Sequence, residues 1–174
     1  MTASLARLLR QSISNEDETV SIGQEIQYAK SYLTIQKMRY KDKLEFEIDV
    51  DPSVNMIPIV KLVLQPIIEN AIYHGLKYKE SKGMILVKGY RQGDNAVLEV
   101  KDDGVGMDEE TLSHIFEKHK VNYHSNGVGV YNVQKRLVLY YGKDYGLHYQ
   151  SKKGEGTTVT VVIPAVGEEH HEKA

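Results

Sequence analysis

Two periods govern the hydrophobic positions along the chain, and the points where one gives way to the other mark its elements. Ile22, Ile26, Ala29 and Leu33 recur at spacings of four, three and four. Ser21 and Gln24 form a capping-box pattern ahead of them, which predicts a helix over 21–40. Leu44, Phe46, Ile48 and Val50 then alternate with charged residues, the period of a half-buried strand, until Asp51 and Pro52 end it. Helical spacing returns over 57–75, where Ile59, Leu62, Val63, Ile67 and Ile68 suit a helix with Pro58 in its first turn and Gly75 at its end. Pro66 falls inside that stretch and predicts a kink. Strands are predicted at 84–90 and 96–102, with Gly93 and Asp94 turning a hairpin between them. A polar, poorly periodic segment up to Asn126 reads as a loop or lid, a helix follows over 128–141, and strands at 146–151 and 157–163 flank residues 152–156.

The two ends differ from the middle. Leu5, Leu8 and Leu9 share one side of a short helix over 2–13, followed by a polar stretch. Residues 166–174 form a charged tail, in which His170 and His171 read as part of a solvated end rather than a metal site. The expected organisation is a linker or upstream tail at 1–20, one folded domain at 21–166 and a charged tail at 167–174. Neighbouring strands paired in sequence, with helices collected together, imply an α/β two-layer sandwich rather than an alternating doubly wound sheet.

Composition narrows the chemistry. The 174 residues, 41% hydrophobic and 26% charged, suit one globular domain rather than a disordered or fibrous chain. With 22 Lys and Arg against 24 Asp and Glu, the net charge of −2 offers no footprint for duplex nucleic acid or an anionic membrane. The absence of cysteine removes disulfides, thiolate catalysis and Cys-based zinc sites. No apolar run approaches the roughly 18 residues that span a bilayer, and the first residues lack a signal-peptide core, so the sequence as it stands is expected neither to span nor to be exported.

Familiar nucleotide and metal signatures fail. There is no Gly-x-x-x-x-Gly-Lys-Ser/Thr phosphate loop. The Gly127-x-Gly129 pair carries Asn132 where a dinucleotide fold needs its third glycine. Asp102-Asp103-Gly104 lacks the alternating oxygens of a calcium loop, and no His-Glu-x-x-His occurs.

Three clusters remain. Asn70, in the run Glu69–Gly75 at the end of an apolar helix, carries an amide whose burial costs about 1 to 3 kcal/mol unless it is paired. A hard cation on its oxygen would satisfy it, as would a core or capping hydrogen bond. Asp102 precedes Gly104 and Gly106 at a strand end, where a carboxylate can accept from an exocyclic amine such as that of adenine, and glycines let a flat ligand approach. An ordinary Asp-Gly turn is the alternative. Asn126, Gly127 and Gly129 open a helix whose free N–H groups suit phosphates, or simply form a flexible loop closing onto it.

Taken together, these residues resemble the catalytic ATP-binding domain of sensor histidine kinases, in the superfamily shared with type II topoisomerases, mismatch-repair ATPases and the heat-shock chaperone of that fold. Asn70 resembles the N box, Asp102-x-Gly104-x-Gly106 the first glycine box, Gly127-x-Gly129 the second and Gly154-x-Gly156-Thr157 the last. The run Leu64-Gln65-Pro66-Ile67-Ile68-Glu69-Asn70-Ala71-Ile72-Tyr73-His74-Gly75 is similar to the LytS/YesM subgroup. So are Tyr32-Leu33-x-Ile35-Gln36-x-x-Arg39 and Asn132-Val133-x-x-Arg136-Leu137. The resemblance implies a Bergerat-type fold, a mixed and largely antiparallel sheet with helices on one face. It implies ATP bound with Mg2+: Asp102 on the adenine amine, directly and through a water shared with Thr157, Gly104 and Gly106 shaping the pocket, Asn70 holding the metal, and Gly127 and Gly129 approaching the phosphates. Lys118, His119, Lys120 and His124 would lie in a lid, either adding cations at the phosphates or forming a solvated face.

The resemblance also sets expectations about departures and partners. Asp103 stands where Asn is common, a negative charge that would weaken nucleotide binding. Tyr73 stands where many histidine kinases carry Lys, leaving His74 as the substitute phosphate contact. Val130 replaces a frequent Leu. The family phosphorylates a histidine on an upstream dimerisation helix, whereas the first histidine here is His74. The chain is therefore expected to be a cytoplasmic piece of a membrane-anchored sensor, homodimeric at full length. It would be served by that helix and a response regulator, with no nucleic-acid or membrane contact of its own. The competing expectations are a degenerate nucleotide-binding scaffold, supported by Asp103, and a self-contained ATPase. The second lacks the Glu base that hydrolysing relatives carry four residues before the N-box Asn, where this chain has Pro66.

Overall fold

The computed structural model describes residues 18–117 and 127–165. The expected helix over 2–13, the lid residues Lys118, His119, Lys120 and His124, and the tail with His170 and His171 lie outside the described residues.

A short strand β1 (Thr19–Ser21) leads into helix α1 (Ile22–Tyr40). The capping box forms as its spacing implies: Gln24 N–H donates to Ser21 Oγ at 3.2 Å, and Ser21 N–H to Gln24 Oε1 at 3.1 Å. Two further N–H groups at this helix start, from Ile22 and Gly23, are taken by the carbonyls of Ile57 and Asn55. Strand β2 (Leu44–Val50) follows a single 3-10 turn.

The stretch expected to be one kinked helix from residue 57 divides in two. Pro58–Val60 is a strand, β3, antiparallel to β1, and helix α2 (Leu64–Asn70) begins only after it, continuing through a π-helical turn (Ala71–Leu76). Pro58 thus sits at a strand's first residue, where its missing N–H costs no ladder bond. Pro66 is the third residue of α2, inside the first turn, where no intrahelical acceptor is lost and no kink is required.

Strands β4 (Gly83–Gln92) and β5 (Asn95–Asp102) form the expected hairpin around Gly93 and Asp94. The segment expected to be an irregular lid contains a short helix, α3 (Glu109–Ser113), whose start Asp108 caps by accepting from Thr111 N–H at 2.8 Å. Helix α4 (Gly127–Tyr141) and strands β6 (Gly146–Lys152) and β7 (Gly156–Pro164) complete the described chain.

The main sheet has the order β2-β4-β5-β7-β6, parallel only between β2 and β4. This is the expected mixed, largely antiparallel sheet. Its inner face carries Ile85, Val87, Leu98, Val100, Val159, Val161 and Ile163, all buried, against Leu33, Ile67, Ile68 and Leu137 of the helices. Its outer face carries part-exposed polar positions such as Lys88, Glu99 and Thr160. Register places Ile85, Asp102, Thr157 and Ser151 in one row across four strands, and Val87, Val100, Val159 and Tyr149 in the next.

Glu25, buried on α1, holds the segment between β3 and α2. Its carboxylate accepts from Leu62 N–H at 2.6 Å and from Val63 and Leu64 N–H at 3.2 Å each, so it caps α2 from another helix. Arg136 of α4 donates to the carbonyls of Lys61 at 2.6 Å and Leu62 at 3.0 Å. Between them Leu62 is held at φ 57°, which costs a residue with a Cβ about 1 kcal/mol. Burial lifts the Glu25 carboxyl above its ordinary range, and the three N–H donors and Arg136 draw it back in part. Replacing Glu25 by Ala, which strands three N–H groups and Arg136, is expected to cost about 3 kcal/mol, read as a lower urea midpoint at unchanged slope; Glu25→Gln should recover part of the loss.

Candidate functional site

The inner ends of α2 and β5 meet at the row that contains Asp102. Asp102 is only 4% exposed, yet it lines a cavity of about 430 Å3 between the sheet and α2. Its Oδ1 accepts from Gly104 N–H at 2.9 Å. Burial pushes its carboxyl up to about 6, with the N–H groups of Gly104 and Thr157 pulling the other way.

The glycines beside it are requirements of space. A Cβ on Gly104 would stand 2.2 Å from the Gly75 carbonyl oxygen, and Val105 N–H donates to that same oxygen at 3.0 Å. Gly106 adopts φ 64°, and a Cβ there would stand 2.0 Å from the Lys152 carbonyl oxygen. Gly154 N–H donates to the Val105 carbonyl at 2.7 Å. The loop after Asp102 is thus stitched to the end of α2 on one side and to the β6-β7 turn on the other.

Asn70 closes the opposite wall. Its Oδ1 is sealed from solvent and makes no hydrogen bond, an acceptor that an apolar neighbourhood leaves unpaid unless a ligand supplies the donor or cation. Oxygen of this kind suits a hard divalent cation. Among the described residues no group of three or more His, Asp or Glu side chains could hold a metal by itself.

Of the residues named from sequence, the structure brings Asn70, His74, Asp102, Gly106 and Thr157 to one cavity, with Gly104 directly behind it on Gly75. His74 stands exposed at its mouth, and partial desolvation together with Lys77 holds its imidazole below the ordinary value, so it is neutral at pH 7. Gly127 is the first residue of α4. Gly129 lies against α2, where a Cβ would come within 3.3 Å of Pro66 Cβ, so it packs one helix on another. Asp103 turns from the cavity: it pairs with Lys79 at 2.8 Å and accepts from Met84 N–H at 2.8 Å.

Sequence reasoning missed Ser151 and Tyr149. Ser151 Oγ accepts from Met107 N–H at 2.8 Å and lies 2.7 Å from Thr157 Oγ1, fixing that hydroxyl at the cavity floor. The signal was present in the pairing of 151 with 157 around the last turn, once that hairpin's register is drawn. Tyr149 lies on the inward side of β6 with its ring edge-on to Phe116, centroids 5.6 Å apart. Nothing in a strand pattern distinguishes it from a core aromatic.

A buried carboxylate with a raised pKa weakens the fold wherever it is ionised. Between pH 4 and 6 the native protein holds a proton on Asp102 that the unfolded chain releases, so this group's contribution falls as pH rises and is fully unfavourable above 6. Asp102→Asn is expected to be more stable than wild type by about 2 kcal/mol at pH 7, an advantage that disappears toward pH 4 in paired urea titrations.

Comparison with known proteins follows the same outline. The family model described as "Histidine kinase-, DNA gyrase B-, and HSP90-like ATPase" matches residues 58–167, and one described as "Histidine kinase" matches residues 1–44. The chain is 33% identical over 97% of its length to the sensor histidine kinase YesM of Bacillus subtilis, 34% over 92% to the sensor histidine kinase YpdA of Escherichia coli, and 30% over 92% to the sensor protein LytS of Oceanobacillus iheyensis. It spans only 27–28% of the length of those relatives. Among solved structures it resembles the histidine kinase domain of a blue-light-activated kinase from Erythrobacter litoralis, with a TM-score of 0.61 at 18% identity over 91% of this chain and 70% of that one. It also resembles the catalytic domain of the histidine kinase ThkA, with a TM-score of 0.62 at 17% identity over 84% of this chain and 94% of that one.

Proposed function

The chain belongs to the family of histidine kinase-, DNA gyrase B- and HSP90-like ATPases, and on that premise we propose that it is the ATP-binding catalytic module of a sensor histidine kinase of the LytS/YesM type. The observation that carries the reading is the buried Asp102 carboxylate on one wall of the cavity facing, across it, the unpaired Asn70 oxygen. A purine needs an acceptor for its exocyclic amine in an otherwise apolar slot, and Asp102 between Val100 and Ile67 offers one.

In this reading Asp102 accepts from the adenine amine, and Thr157, its hydroxyl held by Ser151, keeps a water beside the ring. Gly104 and Gly106 let the backbone close on the base. Asn70 would hold Mg2+, which would offset the charge that develops on the phosphates. His74, being neutral, donates one hydrogen bond to a phosphate rather than a full charge. Gly127 lets the start of α4 approach the phosphates. Gly129 allows that approach by bringing α4 close to α2.

The reaction is an in-line transfer: a ring nitrogen of a histidine on the dimerisation helix attacks the γ-phosphorus, the bond to the β,γ-bridging oxygen breaks, and ADP leaves. Most of the catalysis is positioning and charge neutralisation. The partners are that helix, in a homodimer of the longer protein, and a response regulator that receives the phosphoryl group. The module works on the cytoplasmic side, where ATP is; no helix among the described residues is long and apolar enough to cross a membrane. The scaffold alternative rested on Asp103, and its pairing with Lys79 removes that support.

Calorimetric titration with a non-hydrolysable ATP analogue tests the reading. Binding should strengthen with magnesium, vanish in Asp102→Asn and lose its magnesium dependence in Asn70→Ala; no binding at millimolar analogue to folded protein would sink it. Phosphoryl transfer in trans to a matched histidine-bearing helix should follow. Adenosine, which has no phosphate to titrate, should bind progressively more weakly as pH falls below about 6, where Asp102 gains its proton.

A further inference from the structure

Asp102, Thr157 and Ser151 stand side by side in one row of the sheet, on β5, β7 and β6, and the first two line the cavity. Three partners converge on the Ser151 hydroxyl. Its Oγ accepts from Met107 N–H at 2.8 Å, donates to the Gly156 carbonyl oxygen at 3.1 Å and lies 2.7 Å from Thr157 Oγ1. The backbone frame around it is tight: a Cβ on Gly156 would stand 2.1 Å from the Asp102 carbonyl oxygen, and one on Gly106 would stand 3.1 Å from the Gly156 carbonyl oxygen.

A hydroxyl has one proton and two lone pairs, and three partners use all of them. The Gly156 carbonyl can only accept, so it takes the Ser151 proton. The Met107 N–H can only donate, so it occupies one lone pair. What remains for Thr157 is the second lone pair, and the Thr157 proton therefore points to Ser151. The cavity side of Thr157 Oγ1 is left with lone pairs alone. With the Asp102 carboxylate beside it, the floor presents acceptors and no hydroxyl proton. Such a floor meets the hydrogens of an exocyclic amine, directly or through a water, and repels a keto oxygen in the same place.

We infer that Ser151, which does not itself line the cavity, sets the selectivity of this site for an amine over a keto group by fixing the Thr157 hydroxyl as an acceptor. This rests on the reading of the cavity as a purine site with Asp102 on the exocyclic amine. Ser151 is a positioning residue that acts through Thr157. Without it the Thr157 hydroxyl turns freely and can donate to a keto oxygen as readily as it accepts from an amine.

Calorimetric titration of this chain with magnesium at pH 8, where Asp102 is ionised, tests it. The two probes are the non-hydrolysable ATP analogue and its inosine counterpart, which carries a keto oxygen in place of the amine. Wild type should prefer the adenine compound. Ser151→Ala should narrow that preference roughly fivefold to tenfold, the worth of one hydrogen bond. In a Thr157→Val background the same Ser151 substitution should leave the preference where it was, because the group it acts through is gone. An unaltered or wider preference in Ser151→Ala overturns the inference and leaves Ser151 as a stitch between the 105–107 loop and the last hairpin. A narrowing that persists in the Thr157→Val background overturns it too. If wild type binds both compounds equally, the adenine reading of Asp102 falls first and takes this one with it. Thermal melts without ligand accompany each variant, and Ser151→Cys, a weaker donor and acceptor of similar shape, supplies the same comparison should the alanine variant melt low.

Discussion

Everything functional in this domain hangs on where α2 lies, and α2 is placed by the grip of Glu25 and Arg136 on the backbone at 61–64. The segment has no side-chain cap of its own and includes Leu62 in a left-handed conformation. An isolated chain would not adopt it. Glu25 takes three of its N–H groups and Arg136 serves two of its carbonyls, so α1, α2 and α4 are fixed to one another through backbone atoms. A buried carboxylate and a half-buried guanidinium are costly to desolvate, and their hydrogen bonds to the segment offset that cost. The result is a rigid base from which Asn70 and Gly75 project toward the sheet.

The second constraint is contact too close for side chains. Gly75 and Gly104 meet backbone to backbone, and a Cβ on Gly75 would come within 2.6 Å of Asp102 Oδ1. The end of α2 can therefore sit directly on the strand end that carries the buried carboxylate. The cavity keeps its apolar walls while two polar groups, Asp102 and Asn70, remain incompletely satisfied inside it. Both weaken the free protein. Both are what a ligand with an amine at one end and a hydrated cation at the other would need.

How much of this is legible beforehand varies from element to element. The Ser21 and Gln24 capping box, the alternation from Leu44 to Val50 and the hairpin at Gly93-Asp94 are local features, and local sequence sets them. The stretch from 57 to 75 misled because apolar residues spaced for one helix were shared between β3 and α2. β3 exists only because β1, nearly forty residues earlier, pairs with it. Pro66 then changes meaning, from a kink to a first-turn residue. Asp103 is similar: its charge is plain in the sequence, but whether it faces the cavity depends on Lys79 and on strand β4.

By itself the sequence determined the family and the residues proposed for the candidate site. Asn70, the glycines and Asp102 are required by close approach and buried hydrogen bonding, demands that only those residue types meet and that therefore show as fixed motifs. It also determined the order of elements around them, apart from β1, β3 and α3. Tertiary structure alone decided which of those residues share a cavity, that Gly129 packs against Pro66 and that Glu25 holds α2 in place. The reason is that burial and partnership are properties of surfaces brought together across the chain. A side chain carries the capacity to bond in its own chemistry, but whether that capacity is met depends on residues far away in sequence.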